Sequence, residues 1–427
     1  MKKFFIGGLL TTMTSFLFAQ KADNIINAKE VSRIENVLAS DEMRGRKTFS
    51  PEIDKAADFI ADEFKKAGLQ PLKDKSYLQE FAVLSPVQTS LTATINGETV
   101  DPKNILVVTS QPDLTVDQNS GFEIRQIKAG GNLYQEAAGI WGEKKNMVVV
   151  VDTSFSKNFP RLTFLKRNMF KGATSVVFIL STVTPTSYKI VAHHNLTLQN
   201  LKNVVGILPG KSKKDEYVIF SGHYDHIGVT SRPVNGDSIN NGANDDAAGT
   251  AAVMLLAKYF KQLKNNERTI VFAAFTAEEI GGYGSQYFSQ QFDPAKVVAM
   301  FNIEMIGTES KWGKNSAYIT GFDKTDMGAI LQKNLEGTGF TFYPDPYPQE
   351  QLFYRSDNAT LARLGVPAHT ISTAKMDSEP HYHKVSDTPE TLDMENMAMI
   401  IRSIALSSRS IVAGTETPSR VKKEDLR

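Results

Sequence analysis

The chain has no cysteine in its 427 residues. That excludes a disulfide framework and also the lipid-modified cysteine on which a bacterial lipoprotein is anchored, so a large apolar core must carry its stability, and at this length it can. An excess of charge of one sign is missing too. Lys and Arg number 48 against 47 Asp and Glu, for a net charge of +1, and the two signs are interspersed, without the clustered basic excess that nucleic-acid binding calls for. After residue 20 no apolar run reaches the roughly eighteen residues of a membrane span. Internal repeats and low-complexity segments are absent. What remains, 41% hydrophobic and 22% charged residues, is the composition of an ordinary soluble globular protein.

The first twenty residues stand apart. Lys2 and Lys3 precede an apolar or small stretch from Phe4 to Phe18, and Ala19-Gln20 leads into polar sequence. This order is that of a secretory signal peptide, too short and wrongly flanked for a spanning helix. The expectation is a mature chain from about Lys21, secreted or periplasmic, without a stable membrane anchor.

Behind it, Ala28–Leu38 reads as a helix. A second opens at Ser50-Pro51, with Ser as cap and Pro at the first helical position, and closes at Gly68. From about Phe81 to Gln199 the character changes to short β-rich runs between turns, and we read an inserted subdomain there, with its bounds set at 91–196; the adjacent pair His193-His194 near its exit is assigned to the surface. From Asn203 strands and helices alternate, as in a mostly parallel sheet covered on both faces. Strands are expected at 204–208, 217–221, 269–275, 297–303 and 367–372, and helices at 249–263, 327–335 and 394–411. The fold class is therefore α/β, a doubly wound, mostly parallel mixed sheet. Residues 21–90 and 197–413 form the main domain, 91–196 the insertion, and 414–427 a polar, disordered tail.

Chemistry-bearing residues collect just after the apolar runs of that second half: His223, Asp225 and His226; Asn244-Asp245-Asp246; Glu278-Glu279; Glu304; and, later, His381-Tyr382-His383. In open α/β sheets the strand carboxyl ends are where ligands and reacting groups gather, and hard and borderline donors from several strands read as a metal site. Two neighbouring divalent ions need one carboxylate that touches both. Asp245, flanked by small residues that let backbone approach closely, suits that role. A further carboxylate outside the metal shell is needed to take a proton from water, and the adjacent pair Glu278-Glu279 can supply one base and one ligand.

In this order the residues resemble the co-catalytic, di-zinc aminopeptidases, a family related to glutamate carboxypeptidases, glutaminyl cyclases and the transferrin-receptor ectodomain. The resemblance runs from Ala28 to Ile411 and is strongest over 203–306 and 355–393. It implies two zinc ions per chain. Asp245 would bridge them, His223 and Glu304 would complete one, and Glu279 with His383 the other. Glu278 would be the general base, and Asp225 would hold the His223 ring through its other nitrogen. Tyr382 would be placed to donate to an oxyanion, or else to pack. The resemblance also implies a cis peptide at Asp245-Asp246, a pocket wall at Arg355 to Asn358 (an ordinary helix cap being the other reading), and a protease-associated insertion. Two departures stand out. Glu304 replaces the family's usual Asp, and the family's Thr-Pro after the late His is absent, so His381 rivals His383; the spacing to Asp387-Thr388 selects His383. His226 and His369 are assigned structural roles.

The function implied is that of a secreted zinc exopeptidase, an aminopeptidase hydrolysing peptides with a free N-terminus by a metal-bound hydroxide and a Glu base. Carboxypeptidase, dipeptidase or single-zinc glutaminyl cyclase activity on the same fold are alternatives, as is a binding protein without chemistry. Neither the residue preferred at the cleaved end nor the oligomeric state is written in the sequence.

Overall fold

A computed structural model describes residues 22–72 and 75–425. The signal-peptide reading of residues 1–20 lies outside them. The described residues divide into two compact units, one within 22–80 and 201–425 and the other 81–200.

The first unit contains helices α1 (Ala28–Leu38), α2 (Pro51–Ala67), α3 (Ala248–Leu263), α4 (Tyr283–Ser289) and α5 (Met394–Ser407). Its sheet is built from the end of β1 (Tyr188–Leu208), then β2 (Lys213–His223), β3 (Arg268–Phe275), β4 (Val297–Ile303), β5 (Ser316–Ile319), β6 (Thr341–Pro344) and β7 (Ala368–Ser372). The spatial order is β6-β5-β7-β4-β2-β3-β1. At its centre β7, β4, β2 and β3 run parallel. β1 joins β3 antiparallel, and β5 joins β7 antiparallel. This is the mixed, mostly parallel sheet that the alternation of strands and helices predicts.

The strands are apolar on both faces because both are covered. On one face Phe272, Phe301 and Phe260 of α3 stack around Phe220, with ring centroids 4.8–5.7 Å from it. There α1, α2, α3 and α5 contribute to one large core. The intervening residues Ile219, Val271, Ala273 and Met300 point the other way, toward Phe288 of α4 and Leu361-Ala362. α3 lies very close to β4, since a Cβ on Gly249 would stand 2.0 Å from the Ile303 carbonyl oxygen.

Three expectations are corrected. Ser50 precedes α2 but makes no side-chain cap; Pro51 and the left-handed Gly68 bound that helix instead. The final helix stops at Ser407 rather than 411, because the Ser407 and Ser408 hydroxyls donate back to the Ile404 carbonyl and a separate short helix follows. Residues 414–425 are packed. The buried Arg268 guanidinium donates to the Glu416 carbonyl and the Thr417 hydroxyl, and Val421 joins the core under α4.

The second unit has a four-stranded sheet ordered 105–109, 175–180, 147–151, 123–127, with a helix at Leu133–Gly142. Strand Asp113–Asp117 pairs with residues 189–193 of β1. The histidine pair splits: His193 is exposed beside Asp113, whereas His194 is buried.

Candidate metal centre

β2, β3 and β4 are in register, so that Ser221 is level with Asn302, and His223 with Phe275. Their carboxyl ends therefore open at one level. His223 ends β2, Glu304 follows β4, and Glu278-Glu279 follow β3 after Thr276-Ala277. Asp245 comes from the turn before α3, where the Asp245–Asp246 peptide is cis as expected.

Three buried carboxylates fasten this turn and the strand ends to one another. Asp246 accepts from the backbone N–H groups of His223, Gly249 and Met305. Asp387 accepts from those of Asn244 and Asp245 at 2.8 and 3.1 Å. Asp225 accepts from the N–H groups of Glu278 and Glu279 and from the Thr48 hydroxyl. That last arrangement corrects the role expected for Asp225. The His223 Nδ1 lies 3.1 Å from the Asp225 main-chain oxygen and 3.9 Å from its carboxylate. The carboxylate is turned away because two amides of the glutamate loop and a hydroxyl claim it.

The donor atoms fall into two groups that share Asp245: His223, Asp245 and Glu304 in one, and His226, Asp245, Glu279 and His383 in the other, with all atoms of each group within 4.8 Å of one another. His223 Nε2 is 3.2 Å from Asp245 Oδ1. His383 Nε2 is 3.2 Å from both Asp245 Oδ2 and Glu279 Oε2. The five expected ligands are thus together, with Asp245 between the two groups. His381 is elsewhere, with its Nδ1 on the Ser386 hydroxyl. His226, assigned a structural role from the sequence, lies in the second group, where the turn after β2 folds back over Asp245. His369 has the structural role assigned to it, bonded to the Thr320 carbonyl and the Thr325 hydroxyl.

These residues fit divalent cations. His223 Nε2, both His226 ring nitrogens, Asp245 Oδ2, Glu279 Oε1 and Glu304 Oε2 are all buried without a hydrogen-bond partner. So many orphaned polar atoms in one place would be costly unless they served as ligands. The charges point the same way. Burial alone would raise Glu279, but the His226 and His383 imidazoles outweigh it and hold the carboxyl at about 2. Burial pushes Glu304 up to about 7, against His223 and with help from Asp245 and Asp357. Burial also drives Glu278 well above its ordinary range, opposed by His223 and reinforced by Glu304, Asp357 and Glu279.

Beside both groups is a cavity of about 80 Å³, lined by Asp245, Glu278, Glu304, Tyr382 and His383 together with the apolar Met305, Tyr318, Leu352 and Met376. Glu278 belongs to neither ligand group yet faces the same space. Arg355 and Ser356 wall it, as the pocket reading of that loop expects, and Ser356 also accepts a hydrogen bond from Asn302. The Tyr382 ring stacks on His383 at 3.9 Å, which is the contact that fixes it.

Comparison with known proteins agrees with this geometry. Residues 203–407 match the family model of Peptidase family M28. A probable zinc metalloprotease of Pyrenophora teres f. teres is 39% identical over 110 residues, 25% of this chain and 23% of that protein. A probable leucine aminopeptidase of Trichophyton verrucosum is 29% identical over 205 residues, 46% of this chain and 53% of that protein. The chain thus spans between about a quarter and about half of the length of these relatives. Among solved structures, an aminopeptidase from Aneurinibacillus sp. strain AM-1 is similar in fold, with a TM-score of 0.56 at 18% identity over 96% of this chain and 98% of that one.

Proposed function

With residues 203–407 falling within Peptidase family M28, we propose that this chain is a zinc-dependent exopeptidase that removes N-terminal residues from peptides. The observation that carries the reading is the shared Asp245 between two ligand groups, with Glu278 outside both and facing the same cavity. The names of the relatives, a zinc metalloprotease and a leucine aminopeptidase, support it.

His223, Asp245 and Glu304 would hold one ion, and Asp245, Glu279 and His383 the other. Bound there, the ions supply polarisation of the scissile carbonyl and a more acidic water. The protein supplies the rest. Glu278 takes the proton of the attacking water and returns it to the leaving amine; burial holds its carboxyl above the ordinary carboxylate range, which makes it a stronger base than an exposed glutamate. Asp225, by fixing the amides of residues 278 and 279, keeps base and ligand pointing in different directions.

Glu278→Gln tests this reading. It preserves shape and removes only the proton acceptor, so zinc content should persist while turnover falls roughly a hundredfold to ten-thousandfold, with a far smaller change in KM. Full turnover in that variant would refute the mechanism. A panel of free, blocked and dipeptide substrates separates aminopeptidase from carboxypeptidase, dipeptidase and cyclase action. We propose also that the protein is exported, on the strength of the order of residues 2–20. No helix among the described residues is long and apolar enough to cross a membrane. N-terminal sequencing of the exported protein should begin near Lys21; retention of Met1 would refute it.

A further inference from the structure

We infer that His226 is a metal ligand, so that the two sites differ: one is closed by four protein side chains and the other is left open with three. This inference rests on the metallopeptidase reading above.

His226 is 1% exposed and neither ring nitrogen has a hydrogen-bond partner. Its Nδ1 lies 2.8 Å from Glu279 Oε1 and 3.8 Å from Asp245 Oδ2. The approach to Glu279 lacks hydrogen-bond geometry, since both atoms remain unpartnered despite the short distance. An imidazole held there without a bond is costly in a buried site. The ring has little freedom to leave. The His226 N–H donates to the Arg46 carbonyl, and Gly242 presses on the ring so closely that a Cβ there would stand 2.5 Å from its Cγ.

The separations suit four-coordination. A tetrahedron with bonds of about 2.1 Å has edges of about 3.4 Å. The pairs His226–Glu279, His383–Glu279, His383–Asp245 and His226–Asp245, at 2.8, 3.2, 3.2 and 3.8 Å, bracket that edge. The group of His223, Asp245 and Glu304 offers three donors. Zinc sites closed by four side chains are typically structural, and those with three keep a position for water or substrate. The assignment therefore places the exchangeable position on the His223 and Glu304 side and makes the His226 side the tighter of the two.

Two measurements test this, neither of which reads activity. In the full-length protein loaded with two equivalents of cobalt(II), each ligating histidine contributes one exchangeable, strongly shifted ring N–H proton resonance. Three are expected, from His223, His226 and His383; two would overturn the assignment. In parallel, zinc affinity is measured by competition with a chromophoric chelator. His226→Gln should weaken one of the two sites by more than about a hundredfold, the upper end of what loss of an outer hydrogen-bonding partner costs. A smaller loss would make His226 such a partner and overturn the proposal. If that variant fails to fold, the count of resonances in the wild-type protein still decides. A protein that binds neither metal would sink the metallopeptidase reading itself, whereas two bound ions with two shifted resonances would sink only this inference.

Discussion

The late histidine is decided by single contacts. His383 reaches both Asp245 and Glu279, while His381 bonds to Ser386. His383→Ala should lose metal from one site together with activity, and His381→Ala should keep most of both, as metal analysis and a peptidase assay would show. The opposite result would move the ligand by two residues. Arg46 matters as much, without touching the ligands' side chains. Fully buried, it donates to the carbonyl oxygens of Leu38, Tyr224, Asn241 and Gly242, which tie the turn bearing Asp225 and His226 to the turn bearing Asp245. Arg46→Met should cost roughly 3–5 kcal/mol of stability, the scale for stripping one side of a buried charged network, measured by denaturant titration. The candidate ligands were legible in the sequence because each is a chemically distinctive side chain, and His223, Glu279 and Glu304 come at or just after the ends of apolar strands. Arg46 was not, because its partners are main-chain carbonyls, which every residue carries. His226 fell between these cases: the side chain was distinctive, but nothing in a linear spacing showed that the turn returns over Asp245.

Among the elements, β7 carries a consequence for pH. His369 in that strand is buried against the Thr320 carbonyl, and burial brings its imidazole down to about 4, against the weaker upward pull of Thr320 and Asp323. The folded chain therefore keeps this ring neutral between about 4 and 6.5, where the unfolded chain protonates it, so stability is full above the unfolded value and falls as pH drops through the window. Between pH 7 and pH 5 this single group should remove about 2 kcal/mol. Denaturant titrations at both pH values should show a steeper loss in the wild-type protein than in His369→Gln; equal losses would refute it. The strands were legible from their solid apolar runs, and the central parallel order from their alternation with helices. The antiparallel β5 and the hairpin of Gly228–Val234 and Asp237–Asn240 were not. Ser316–Ile319 and Asp237–Asn240, four residues each, hold too few positions for a period of two to stand out from chance, and Gly228–Val234 is interrupted by the polar run Thr230-Ser231-Arg232.

At the scale of the whole molecule, stability and metal content are linked. Ions that bind only the folded chain stabilise it by mass action, and at a free concentration a hundred times Kd each site adds about 2.7 kcal/mol. Thermal melting in a chelator should therefore occur well below melting with zinc. The Glu279→Gln variant should show a smaller zinc-induced rise than the wild-type protein; an equal rise would argue that Glu279 is no ligand. The change to short β-rich runs at about 81 to 199 matches the division at residues 80/81 and 200/201, whereas the narrower bounds 91–196 cut into the unit because they start at a strand run and not at the point where compactness changes.

The reach of Arg46 also sets an order of events in time. Its guanidinium leaves the ribosome far ahead of the carbonyls it will hold, which lie 195 and 196 positions further along at Asn241 and Gly242. At about 5–20 residues per second this interval is on the order of ten to forty seconds. Throughout it, the first two helices can form from local contacts, but the arginine between them has no permanent place. The last catch to close is Asp387, which holds the Asp245 turn from a further 142 positions away. The candidate metal centre is thus a late product of folding, and a nascent chain shorter than this span can display its histidines without yet possessing the site.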